Sequence, residues 1–129
     1  MVVTDILRVD VFEDSGFSIM ARIKGQDGAN ITQASLTSIA IKVFDLSSAT
    51  PTTAIVDTTR TIATVVFDTL QVDERWTADG RGYNFRDDIA ASVLTSGDHT
   101  YQFEYLFTPA SGEAWFYVVN VTTHRVFTS

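Results

Sequence analysis

The strongest constraint on the fold is an alternation of aromatic and other residues near the C-terminal end of the sequence. Tyr101, Phe103, Tyr105 and Phe107 occur at every second position. A period of two places the four rings on one face of an extended strand, whereas no helix gathers them on one side. A second aromatic-rich run covers residues 113–127, and the connecting residues 108–112 include Pro and Gly, which favour a hairpin turn. The chain is therefore predicted to end in a β-hairpin that faces a core.

The rest of the sequence also favours strands. Residues 4–13 and 17–24 alternate around the turn residues 14–16, which predicts a hairpin with one buried face. Further strands are predicted at residues 38–46, 54–56, 62–67 and 83–89. Threonine, which is β-branched and suits pleated surfaces, is common at 50–53 and 58–64. About seven short strands spaced by turn signals predict an all-β fold, a single antiparallel β-sandwich of the immunoglobulin-like kind.

Length, charge and cysteine content limit the classes of function. The 129 residues suit one domain, and we expect it to span residues 1–129. Sixteen acidic and nine basic residues give a net charge of −7, which repels phosphate backbones and argues against a nucleic-acid partner. There is no cysteine, so neither a disulfide nor a thiolate metal site can form. No apolar run is long enough to cross a membrane and no signal-peptide pattern begins the sequence, so we expect no membrane partner.

The histidines do not form a recognisable catalytic pattern. His99 and His124 fall at the two ends of the predicted terminal hairpin, where exposed polar residues are common. A nucleophilic triad needs a serine beside a histidine that a carboxylate orients, and no serine lies in a G-x-S-x-G context. We therefore predict no catalytic residues, no cofactor-binding residues and a protein that is not an enzyme.

Acidic residues in the middle of the chain raise the question of a metal site. The carboxylates are Asp73, Glu74, Asp79, Asp87 and Asp88, and they are interleaved with Arg75, Arg81 and Arg86. Calcium needs six to eight oxygen ligands, but the spacing does not match a calcium-binding loop. The pattern is more typical of surface ion pairs that order a loop. We predict no metal site here.

Two sets of residues are candidates for an interaction surface. Trp76, in the charged loop, and the nearby Tyr83 could form an aromatic platform for a sugar ring, although a loop anchor is the simpler interpretation of Trp76. The last strand is apolar on both faces, because Phe116 and Val118 lie opposite Trp115 and its neighbours. A sandwich strand normally needs only one apolar face. Either another part of this chain or another protein subunit covers the second face.

Three blocks of the sequence resemble small immunoglobulin-like virion proteins of tailed bacteriophages. They are ARIKGQDGANITQASLTSIAIKVFDL (residues 21–46), RWTADGRGYNF (residues 75–85) and YQFEYLFTPASGEAWFYVVNVT (residues 101–122). The first block is similar to a pattern of such domains: a strand, a glycine-bearing loop, a polar step and a strand ending in V-x-D. Hydrophobic and turn positions carry the resemblance, and no family motif assigns a catalytic residue.

The resemblance implies a non-enzymatic structural protein of the virion, assembled in the cytoplasm of a bacterial host. Its expected partners are other virion proteins, either the major capsid protein or tail and connector subunits, and it could also form a homo-oligomer. Capsid decoration or cement is the first expectation, and a low-copy tail, collar or connector component is the alternative. Residues 1–5, which include Val2 and Val3, are a candidate docking arm that adds to a neighbour's sheet. A carbohydrate- or host-surface-binding module is the rival class.

Overall fold

Eight strands in two sheets make up the computed structural model, which describes residues 7–127. The strands are β1 (Leu7–Phe12), β2 (Phe17–Ala21), β3 (Leu36–Asp45), β4 (Ala54–Arg60), β5 (Val66–Gln71), β6 (Tyr83–Ile89), β7 (Thr100–Pro109) and β8 (Trp115–His124). One sheet has the order β1-β8-β7-β3-β4 and the other the order β2-β6-β5. The predicted all-β class is confirmed, with eight described strands in place of about seven. Residues 1–5, the candidate docking arm, lie outside the described residues.

The terminal hairpin forms as the aromatic alternation predicts. Strands β7 and β8 pair antiparallel, with Phe103 opposite Val119 and Phe107 opposite Trp115. All four alternating rings of β7 are buried. The alternation is informative here because a strand between two neighbours in a sheet has one face on the core and one face away from it.

The predicted hairpin at the start of the chain is wrong. Strand β1 pairs in parallel with β8, whereas β2 pairs antiparallel with β6 in the opposite sheet. Residues 13–16 carry the chain from one sheet to the other, with Asp14 at a positive φ of 56° and its N–H donated to the carbonyl of Leu94. Alternation shows which face of each strand is apolar, but it does not identify the neighbouring strand. The parallel pair also means that the sandwich is not purely antiparallel.

The segment after β3 differs from its prediction as well. Strand β4 continues to Arg60, through residues that were predicted to separate two strands. Residues Ile62–Val65 form a single helical turn, α1, and β5 begins only at Val66. Threonine-rich edges tolerate both strand and turn, because the strand preference of β-branched residues depends on their neighbours. The prediction at residues 83–89 is confirmed by β6.

The core lies between the two sheets and is rich in aromatic rings. Phe85 of β6 packs edge-to-face on Tyr105 and Phe107 of β7, with centroids 5.1 and 5.4 Å apart. The side-chain amide of Asn84 pairs with the backbone of Ile23, accepting from its N–H at 2.8 Å and donating to its carbonyl at 3.0 Å. This buried amide therefore continues the β2–β6 pairing beyond the end of the β2 strand. Within residues 7–127, no helix has the length and apolarity needed to span a membrane.

Candidate interaction surface

The structure divides the predicted interaction residues between two distant surfaces. Phe116 and Val118 lie together on the outer face of the five-stranded sheet. Trp76 and Tyr83 lie together at the loop between β5 and β6, with their ring centroids 5.7 Å apart. Val2 and Val3 are outside the described residues. The two described pairs therefore represent two separate hypotheses about binding.

The first surface is an apolar patch that we call the outer patch, formed by Ala40, Leu106, Phe116 and Val118. Its first three residues lie side by side across three strands, because Ala40 is opposite Leu106 and Leu106 is opposite Phe116. Val118 follows on the next outward position of β8. Phe116 keeps 49% of its surface exposed, while Leu106 and Val118 are half-buried. An apolar side chain left open at this position is suited to burial against another molecule.

Charged residues of both signs border the outer patch. Lys42 of β3 is opposite Glu104 of β7 on one side and Asp57 of β4 on the other. Glu104 also lies opposite Val118, and it accepts a hydrogen bond of 2.6 Å from the side chain of Gln102. An apolar centre with a polar border is the general composition of protein–protein interfaces.

The second surface is the Trp76 loop, residues 72–82, and polar contacts hold it in place. The Tyr83 hydroxyl donates to Asp73 at 2.6 Å, and the Trp76 indole N–H donates to Asp79 at 3.1 Å. Arg22, from the end of β2, donates to Asp79 at 2.8 Å. The Tyr83 hydrogen bond, followed by that of Arg75, lowers the pKa of Asp73 to about 2. Both aspartates therefore act as fixed acceptors within the loop, and Arg22 and the Trp76 indole depress the pKa of Asp79 well below its usual range.

These contacts limit what the Trp76 loop can present to a ligand. Tyr83 is only 2% exposed and packs edge-to-face on Phe67, so its ring does not offer an open stacking face. Trp76 is half-buried and acts as an anchor through both its ring and its N–H. Among residues 7–127, no group of three or more His, Asp or Glu side chains is placed to hold a metal ion. The loop is an ion-paired structural element with part of one indole exposed.

The two histidines each contact a carboxylate. The Nδ1 atom of His99 is 2.8 Å from Asp45, and the Nε2 atom of His124 is 3.2 Å from Asp10. In the described part of the chain, neither ring is hydrogen-bonded to a serine or threonine hydroxyl. The arrangement holds the two imidazole rings against carboxylates at one end of the sandwich.

A third feature, a cavity of about 290 Å³ at one end of the sandwich, was not predicted from the sequence. It lies between the loop at residues 25–31 and the β7–β8 turn, and Trp115 forms part of its wall. Trp115 also stacks on Phe107, with the ring centroids 5.5 Å apart. The two walls are about 85 positions apart along the chain, so no local sequence pattern could bring them together.

Comparison with known proteins identifies no relative of this chain: no protein-family model, no curated protein and no solved structure matches it.

Proposed function

We propose that this protein is a non-enzymatic structural component of a bacteriophage particle that binds other virion proteins. The observation that carries the binding role is the outer patch, where Phe116 is half-exposed on the outer face of the five-stranded sheet. Burying the exposed half of this side chain in a partner contributes about 0.8–1.5 kcal/mol, and aromatic anchors of this kind dominate many interfaces. The assignment to a virion depends on the sequence resemblance alone.

The strand order supports the immunoglobulin-like part of the proposal. The order β8-β7-β3-β4 corresponds to strands G, F, C and C′ of a variable-type domain, and β2-β6-β5 corresponds to B, E and D. Tyr101, near the start of β7, accepts a hydrogen bond from the N–H of Ser96 at 3.2 Å. A tyrosine at that place, bonded to backbone a few residues upstream, is a recurrent feature of immunoglobulin-type sandwiches. Phe103 occupies the core position two residues later, where antibody domains have a cysteine.

Within the virion, capsid decoration or cement is the role that we put first. A decoration protein is present in hundreds of copies, whereas a tail, collar or connector protein is present in about a dozen or fewer. Quantitative mass spectrometry of purified particles from the source virus distinguishes the two by the copy number of this chain. Finding no copies in the particle would overturn the virion assignment.

A substitution in the outer patch tests the binding role directly. Phe116→Ser should leave the fold intact, because the side chain is half-exposed and lies away from the core. The affinity of this variant for the particle, or for isolated capsid or tail proteins, should fall about four- to twelvefold. Val72→Thr is the matched control, since Val72 is an exposed apolar residue in the Trp76 loop, beyond the opposite sheet. Equal binding by the two variants would contradict the proposal.

The competing class is a carbohydrate- or host-surface-binding module that uses Trp76. That class predicts that Trp76→Ala abolishes glycan binding with little change in melting temperature. The structural proposal predicts no glycan binding and a lower melting temperature, because Trp76 packs on Tyr83 and bonds to Asp79. A glycan array together with a thermal melt of the same variant separates the two classes.

A further inference from the structure

We propose that the cavity beside Trp115 binds the guanidinium group of an arginine side chain on a partner protein. This inference rests on the proposed binding role, and it assigns a chemistry to a site separate from the outer patch. The cavity of about 290 Å³ is at the lower limit of small-molecule pockets, which are about 300–1,000 Å³. It is therefore the size of one side-chain head group or a small ligand.

The charge of the cavity wall selects a cation. Two acidic residues line the cavity, Asp27 on one wall and Glu113 on the other. The remaining side chains of the wall are neutral, with neither lysine nor arginine among the lining residues of the described chain. The net charge of −7 adds a long-range attraction for positive groups. An anionic ligand would be repelled here by the local and the overall charge.

The aromatic wall favours a planar cation over a compact one. Phe107 stacks on the Trp115 indole at an interplanar angle of 12°, and Trp115 also lines the cavity. Guanidinium stacks on an aromatic face while its N–H groups donate within its plane, whereas an ammonium group is a hydrated point charge. The acidic lining residues Asp27 and Glu113 suit the in-plane donors of guanidinium.

The cavity is formed by ordered backbone. One oxygen of Asp27 accepts from the N–H of Ala29 at 3.0 Å, which fixes this side chain to its own loop. The Gln26 side chain donates to the Glu113 carbonyl at 3.3 Å and so ties the two walls together. Gly25 lies beside the indole, where an added Cβ would be 4.0 Å from the Cη2 atom of Trp115. A wall held in this way loses little freedom when a ligand binds.

NMR titration of the intact ¹⁵N-labelled protein tests the proposal, because its two tryptophans give two indole N–H signals. The ligand is N-acetyl-arginine N-methylamide, and the control ligand is the citrulline equivalent, which has a similar shape without the charge. We expect the Trp115 signal to shift with saturation at a Kd of about 1–10 mM, while the Trp76 signal stays in place. The variants Asp27→Asn and Glu113→Gln should each weaken binding about three- to tenfold. Glu74→Gln, an exposed acid in the Trp76 loop, is the control and should bind as the unaltered protein does.

Four outcomes would overturn the proposal. They are equal shifts with the citrulline compound, a shift of Trp76 in place of Trp115, a shift of Trp115 with methyl glycosides but not with arginine, and no shift at all. The result is independent of the virion assignment. If the protein binds arginine but is absent from particles, the cavity proposal stands and the virion role is overturned. If the protein is present in particles but does not bind arginine, the virion role stands and the cavity proposal is overturned.

Discussion

A buried ion pair between the sheets gives the sharpest test of how this fold is held together. Asp87 of β6 is only 3% exposed. Its two carboxylate oxygens accept from the Arg60 Nε–H at 2.8 Å and from the Tyr105 hydroxyl at 2.6 Å. Burial, and then the charge of Asp87, raises the pKa of Tyr105 far above its usual range, so that the hydroxyl stays protonated and remains the donor. One carboxylate thus links strand β6 of the three-stranded sheet to β4 and β7 of the other.

The expected loss in the free energy of unfolding for each variant depends on which polar groups lose their hydrogen-bond partner. Tyr105→Phe removes one hydrogen bond to a charged group, which should lower the free energy of unfolding by about 1.5–3 kcal/mol. Asp87→Ala leaves a buried hydroxyl and a partly buried guanidinium without their acceptor, so it should cost about 3–5 kcal/mol. In the double variant the phenylalanine no longer faces a carboxylate. The combined loss should therefore fall short of the sum of the single losses by about 1.5–3 kcal/mol.

Urea unfolding at pH 7, followed by tryptophan fluorescence and extrapolated to water, measures all four proteins of this cycle. The control is Tyr101→Phe. In the unaltered protein the Tyr101 hydroxyl accepts a hydrogen bond from the backbone N–H of Ser96, and it forms no hydrogen bond with a charged group in the described chain. Its loss should be about 0.5–1.5 kcal/mol. Additive losses from Tyr105→Phe and Asp87→Ala, or a loss below about 0.5 kcal/mol from Tyr105→Phe alone, would refute the reasoning.

Three further predictions concern single positions. Gly82→Ala should lower the free energy of unfolding by at least about 2 kcal/mol in urea titration, since the backbone has a φ of +104° and the new Cβ would overlap the carbonyl of Gln71. The pKa of Asp73 is lowered from 3.8 to about 2. The hydrogen bonds that Asp73 accepts from Tyr83 and Arg75 should therefore be complete above pH 3.8 and lost as the pH falls through about 2, which an NMR titration of the Asp73 carboxyl carbon reports. Burial raises the pKa of Tyr117 from 10.0 to about 12. Its contribution to stability should be complete below pH 10 and lost as the pH rises through about 12, and absorbance titration of Tyr117→Phe should lack that transition.

Each of these has an outcome that contradicts it. Gly80→Ala is the control for Gly82, because an added Cβ at Gly80 meets nothing within 4 Å. Equal losses from the two glycine variants would show that the φ and the contact at Gly82 are unimportant. An Asp73 carboxyl signal that titrates at pH 4–5 would mean that Asp73 is not held by its partners. A tyrosine titration completed near pH 10 would place Tyr117 in contact with water.

The sequence predicted which side chains of a strand face the core, because this property depends on the local alternation of residues. Alternation in β7 identified the four core rings, and the boundaries of β6 were predicted as the structure has them. The positive φ of 82° at Gly28 is likewise a local feature, because glycine adopts it without a steric penalty. These features depend on residues within a few positions of one another, where the period of two and the turn chemistry act directly.

The burial of Asp87, in contrast, could not be predicted from the sequence, because it depends on residues far away in the chain. In sequence, Asp87 is one of several acidic residues near a loop, and it was interpreted with them as a surface group. It can be buried only because Arg60 of β4 and Tyr105 of β7 donate hydrogen bonds to its carboxylate. The sequence of β6 alone does not predict these two contacts.

By itself, the sequence determined that this chain is an all-β protein, which residues of its terminal hairpin face the core, and that its net charge is −7. Tertiary structure alone decided that β1 pairs with β8 and not with β2, that Phe116 stays exposed beside Leu106, and that Asp27 and Glu113 face one cavity. The physical reason is the same in each case. Side-chain alternation fixes the direction in which each residue points, whereas the choice of neighbour depends on the joint packing of segments far apart in the chain.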